Sequence, residues 1–136
     1  MPRPVVLNLS AIALLALAGA CADLAVTDVH HEPSSTTQRQ IKTTIVNRGL
    51  IAAPATTTRL FVTPPNAPPR QATAATPALE RGESVEIVIS PLQSSELPAP
   101  GSGQCLELKS CADSANVVWE GWVLESNNCR SRSYCN

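Results

Sequence analysis

The chain has 136 residues, with 10 basic against 11 acidic side chains, a net charge of −1, 12 prolines, 5 cysteines and 3% aromatic residues. So balanced a charge excludes the electrostatic footprint of a nucleic-acid binder. The length suits one domain able to bury a core without a metal or cofactor. No apolar repeat of helical period survives for even two turns, so the class is all-β.

The chain opens with MPRPVVLNLSAIALLALAGAC: one cation at Arg3, an apolar run from Ala11 to Ala20, then Cys21. That is the layout of a secretory signal peptide, and the run is far short of the roughly 20 residues that cross a bilayer. Ala18-Gly19-Ala20 fits an ordinary signal-peptidase site, and Leu17-Ala18-Gly19-Ala20-Cys21 resembles the bacterial lipobox, which would place a lipid on Cys21. Both put the cut after Ala20. Residues 1–20 are therefore read as the signal peptide and 21–136 as the domain. Ala22 stands where Asp would favour retention at the inner membrane, so the expected address is the outer membrane or the periplasmic face of the cell envelope. A secreted protein is the alternative.

Short β-type runs follow in order: LAVTDV from Leu24, IKTTIV from Ile41, TTTRLFV from Thr56, SVEIVI from Ser84 and CLELKS from Cys105. Several alternate with the strand period of two, as Ile41, Thr43 and Ile45 do, or Val85, Ile87 and Ile89. Between them lie NRG at Asn47, TPPNAPPRQATAATP from Thr63 and PLQSSELPAPGSG from Pro91, whose prolines mark them as surface loops. Strands of this length and spacing predict an antiparallel β-sandwich. All charges from Pro33 to Leu79 are positive, and acids dominate from Glu80 to Glu125, so the two halves are expected to pair in the fold.

Five cysteines are an odd number for an exported chain. Setting Cys21 aside for the lipid leaves four, enough for two bridges in an oxidising compartment. If Leu106 and Leu108 lie on a strand, Cys105 and Cys111 stand about 20 Å apart, and a disulfide needs Cα atoms within about 7 Å. Pairing Cys105 with Cys135 and Cys111 with Cys129 keeps the sum of residue numbers constant, which is the register of an antiparallel strand pair. CLELKSC and CRSRSYC would then lie side by side, with both bridges on one face and Leu106 opposite Tyr134.

ADLAVTDV from Ala22, IKTTIVNRGLIAA from Ile41, TTTRLFV from Thr56, ALERGESVEIVI from Ala78 and CADSANVVWEGWVLESNNC from Cys111 resemble, in order and spacing, the blocks of the CARDB family, the cell-adhesion-related domain found in bacteria. The resemblance spans Ala22 to about Cys129. It implies an immunoglobulin-like antiparallel β-sandwich of about seven strands, a non-catalytic extracellular or periplasmic role, and in some members cysteines where Cys111 and Cys129 stand. WEGWVL enlarges the last loop beyond the usual pattern.

That loop carries the candidate site residues. Trp119 and Trp122 are half of the four aromatics, with Phe61 and Tyr134. They are candidate ligand contacts for a sugar ring or peptide, or they fold back over the sandwich end. Core packing is the expectation for Trp119, and Trp122 is evenly placed between the two. Asp113, Asn116, Glu120, Glu125, Asn127 and Asn128 have calcium-type oxygens without calcium-loop spacing, so they are read as turn-shaping groups, with no metal and no cofactor. His30 and His31 are adjacent, point opposite ways on a strand and read as solvated surface groups. No G-x-S-x-G elbow or metal-ligand spacing supports an enzyme. The reading is a non-catalytic binding or adhesion module for an envelope or extracellular protein or glycan. The rival is a structural spacer or assembly accessory of an envelope complex.

Overall fold

Ile41, Thr43, Ile45 and Asn47 are all buried, while Lys42, Thr44 and Val46 between them stay partly exposed. One face of a strand meets the core and the other meets water. The structure, a computed structural model, describes residues 21–114 and 128–136. Seven strands form among them: β1 (Leu24–Pro33), β2 (Arg39–Asn47), β3 (Thr56–Thr63), β4 (Arg70–Thr76), β5 (Ser84–Leu92), β6 (Cys105–Cys111) and β7 (Cys129–Cys135). They make two sheets, ordered β1-β2-β5 and β4-β3-β6-β7, with every pairing antiparallel. This is the expected all-β sandwich.

Two apolar clusters fill the space between the sheets. Leu24, Val26, Ile45, Ala53 and Leu79 belong to one, and Val29, Ile41, Leu60, Leu106 and Leu108 to the other. Midway between the sheets the buried Thr43 hydroxyl donates to Ser110 Oγ at 2.9 Å, so this polar pair is satisfied where an orphan would be costly.

Two irregularities decide which side chains face inward. In β1 the pairing with β2 slips between Val26 and Asp28. A bulge changes the parity of a strand: Leu24 and Val26 face in before it, Val29 after it. In β5 the slip opposite Ile41 and Lys42 has the same effect, with Val85, Ile87 and Ile89 packing inward before it and Ser90 and Leu92 buried after it.

The segment from Thr63 expected to be a surface loop contains β4, which pairs with β3 from Thr56↔Thr76 to Val62↔Arg70. Its inward positions are Ala72 and Ala74, too small to give an apolar alternation, and its prolines fall before Arg70 or after Thr76 rather than within the strand. The segment from Pro91 likewise begins with the last two residues of β5 and contains a single 3-10 turn, Ser94–Glu96. Proline is tolerated at position 91 because β5 lies at a sheet edge.

β4 and β5 face each other across one side of the sandwich, closed by Arg70. Its guanidinium holds Glu96 through both oxygens (Nε–Oε2 2.6 Å, Nη2–Oε1 3.1 Å) and also donates to Ser90 Oγ at 2.6 Å and to the Pro91 carbonyl at 2.8 Å. Burial opposes ionisation of Glu96. The Arg70 hydrogen bonds and charge, with the Gln93 N–H, outweigh it and hold the carboxyl below its ordinary value. The expected pairing of basic and acidic halves is met here and at Lys42, which lies 2.5 Å from Glu32 and 3.0 Å from Glu86. It is not met by Arg39, Arg48 or Arg59, which have no carboxylate within 4.0 Å among the described residues.

Candidate functional site

Strand directions place the loops after β2, β4 and β6 at the end of the sandwich where β1 begins, and the loops after β1, β3 and β5 at the opposite end. Cys21 belongs to the first end. Ala22 and Asp23 after it are buried, and the turn after β2 wraps them. Asn47 is the hub of that turn. Its Oδ1 accepts the N–H groups of Asp23 (3.2 Å) and Gly49 (3.0 Å), and its Nδ2 donates to the carbonyls of Ile51 (2.8 Å) and Leu79 (3.1 Å). Backbone bonds from Arg48 to Asp23 (2.8 Å) and from Leu50 to Cys21 (3.0 Å) complete the clamp. A Cβ on Gly49 would collide with the Cys21 carbonyl and stand 2.6 Å from the Ala22 Cα, so only glycine fits.

The enlarged last loop springs from the same end. Cys111 is bonded to Cys129 at its base, and Cys105 to Cys135 at the far end of the same strand pair. The register between β6 and β7 is the constant-sum register, with Leu106 opposite Tyr134. Ala112 N–H donates to the Asn128 carbonyl at 2.7 Å and Ser114 N–H to the Thr57 carbonyl at 2.9 Å. Asp113 is buried with φ of 47°, a left-handed conformation that aspartate tolerates better than most residues. Trp119 and Trp122 lie outside the described residues, as do Asn116, Glu120, Glu125 and Asn127, and the signal peptide of residues 1–20. Among the described residues no group of three His, Cys, Asp or Glu side chains could hold a metal ion.

The opposite end holds a cavity of about 870 Å³ that sequence reasoning did not find. Its walls include His31, Arg39, Leu97, Pro98, Tyr134 and Asn136. The β1 bulge is the device that turns His31 toward β7, where its ring lies 4.4 Å from that of Tyr134 with the planes tilted by 60°. Arg39 at the start of β2 donates from Nε to His31 Nδ1 at 2.9 Å. This bond sets the neutral tautomer, with the ring proton on Nε2. Burial above all, then Arg39, His30 and Arg132, pushes the His31 imidazole below its ordinary value. Burial chiefly raises the Tyr134 phenol, which stays protonated. Arg132 stacks its guanidinium 5.0 Å from the Tyr134 ring and reaches Asp28 at 3.3 Å, closing the β1–β7 side.

The two histidines do face opposite ways, but neither is simply solvated. His30 lies between Asp28 (2.6 Å) and Glu32 (3.4 Å) on the outer face. Among the described residues Arg39 is the only charged side chain lining the cavity. With its Nε committed to His31, the remaining N–H groups of Arg39 are donors beside the His31 and Tyr134 rings and an aliphatic wall of Leu97, Pro98 and Pro100. Such a set suits the binding of a polar, oxygen-rich ligand with an apolar face. The residues that build it come from β1, β2, β7 and the loop after β5, so no local motif announces them.

The CARDB family profile matches residues 21–132. The chain belongs to the CARDB family. Among solved structures it is similar to a CARDB domain from Pyrococcus furiosus, solved in complex with di-metal ions, at 18% identity and a TM-score of 0.59 over 85% of this chain and 88% of that one. It is also similar to residues 272–376 of a Methanosarcina acetivorans protein assigned by name to the cell surface, at 21% identity and a TM-score of 0.56 over 85% and 91%. At these identities the likeness establishes the CARDB sandwich fold. No curated protein matches the chain in sequence.

Proposed function

We propose that this CARDB domain is a non-catalytic binding or adhesion module of the cell envelope, anchored by lipid on Cys21, that recognises a protein or glycan at its opposite end. The observation that carries the reading is the polarity of the molecule. Cys21 and the cavity of His31, Arg39 and Tyr134 sit at opposite ends of the sandwich, so an anchor at one leaves the other presented. Two disulfides fit an oxidising compartment outside the cytoplasm, and the cell-surface assignment of the Methanosarcina relative agrees with that address.

The test has two parts. Protein purified from the envelope is expected to show by intact mass a chain beginning at Cys21 with two acyl chains or more, and four thiols that label only after reduction. Glycan and peptide arrays probed with the folded domain are expected to yield a ligand whose binding is lost in Arg39→Ala and Tyr134→Ala. The double variant Trp119→Ala/Trp122→Ala asks the same of the tryptophan loop. A ligand lost only in that variant would move the recognition site to the loop. Lipid on Cys21 with no ligand at either place would favour the structural spacer.

A further inference from the structure

From the geometry around Cys21 we infer that the anchored end of the domain is a membrane seat: Leu50 and Ile51 rest in the bilayer surface beside the lipid. The inference rests on lipidation of Cys21 and goes beyond it, because an anchor does not by itself bring a domain onto the membrane. A flexible spacer after the lipidated residue would let the domain float. No such spacer exists in this chain. Ala22 and Asp23 are buried, β1 begins at Leu24, and the Cys21 carbonyl itself accepts the Leu50 N–H at 3.0 Å. Successive Cα atoms are about 3.8 Å apart, so acyl chains on Cys21 would leave the folded domain within about one residue's length of Leu50.

The surface at that point is apolar. Three large hydrophobic side chains are exposed among the described residues: Leu50 at 51%, Ile51 at 48% and Val88 at 52%. Two of the three are adjacent in this turn, next to the residue that would carry the lipid. Exposed Ala52 and Pro54 continue the tip, and Pro77 and Ala78 join it across the Ala53↔Leu79 bridge. From Arg48 to Leu79 there is no acid. Arg48, exposed at the edge of the turn and without a carboxylate partner among the described residues, is placed to meet lipid phosphates. The next turn carries two exposed acids, Glu80 and Glu83: the Glu83 carboxylate accepts the Glu80 N–H at 3.3 Å, and the Glu83 N–H donates to the Glu80 carbonyl at 3.0 Å. An apolar tip with Arg48 at its edge, held against an acylated residue, matches the interfacial region of a bilayer and not bulk water.

The test uses the full-length lipoprotein, matured in the envelope and reconstituted into phosphatidylcholine vesicles. Nitroxide labels are placed one at a time through Leu50→Cys, Val88→Cys and Ser102→Cys, the last on the exposed turn at the opposite end. Intact mass records the lipid and the two bridges in each sample. The expected result is a label at 50 that collides several-fold more with oxygen and several-fold less with a water-soluble nickel chelate than the labels at 88 and 102. A lipidated protein whose label at 50 is as open to nickel as that at 88 would overturn the seat and leave the anchor standing. A protein with no acyl chain on Cys21 would overturn both. If Leu50→Cys disturbs the fold, Ile51→Cys carries the same measurement, read in the same way.

Discussion

The two ends of the sandwich are held by different kinds of bond. At the Cys21 end the chain is clamped through its backbone, with Asn47 spending its whole side-chain amide on four main-chain partners and Gly49 admitting no side chain at all. At the far end the contacts are made by side chains reaching between sheets, as His31 reaches Tyr134 and Arg70 reaches Ser90. Backbone contacts define one geometry. Side-chain contacts leave a cavity whose chemistry can vary without disturbing the frame. A rigid end and an adaptable end would suit the anchored recognition module proposed above.

The comparison is broken most severely at Gly49. Gly49→Val is expected to displace residues 21–23 and cost about 3 kcal/mol or more by overpacking, seen as a large fall in Tm and early hydrogen exchange in β1. Asn47→Ala, which removes the side-chain partner of two N–H groups and of the Ile51 carbonyl and leaves the Leu79 carbonyl only the Ala53 N–H, is expected to cost about 3 kcal/mol by the same readout. Replacing Cys111 and Cys129 together by serine frees a loop of separation 18 and should cost on the order of 3 kcal/mol in urea unfolding, leaving Cys105–Cys135 to hold the other end of the strand pair.

The far end is sharpened by acid. Glu96 has a folded pKa below its unfolded value, so its contribution is complete above about pH 4.3 and is lost as pH falls from there through the folded value. Glu96→Gln is expected to flatten that part of the stability profile, measured by Tm against pH. The smallest effect belongs to Arg39→Ala. Stability should change by less than about 1 kcal/mol, while the His31 titration followed by NMR moves up toward the ordinary histidine value. Return would be incomplete, because burial is the larger cause of its depression.

What could be read from the residues followed the strength of local signals. β2, β3 and β6 carry β-branched or leucine side chains at every second position, and the period of two is plain. The pairing of β6 with β7 was legible although β7 is polar almost throughout, because four cysteines allow one antiparallel register. β4 was hidden by the small size of Ala72 and Ala74. Arg70–Glu96 and the cavity were hidden for a different reason. Their partners are brought together only when two sheets stack, and the bulge that turns His31 inward has no local mark at Thr27. The tryptophans that drew most attention in the sequence lie in the segment outside the described residues, so their part is for mutagenesis to assign.

The ladder joining β1 to β2 has a mechanical side. It runs from Leu24↔Asn47 beside Cys21 to Pro33↔Arg39 beside the cavity. A partner tugging at the cavity of a protein held by Cys21 would pull along this strand, loading its hydrogen bonds in shear, all at once. A load peeling the strand from one end would open them in turn. β7, on which part of the cavity stands, is stapled to β6 at both ends and cannot strip away. Tension applied between anchor and ligand would thus run along the strands of the sandwich, the direction in which a sheet yields last.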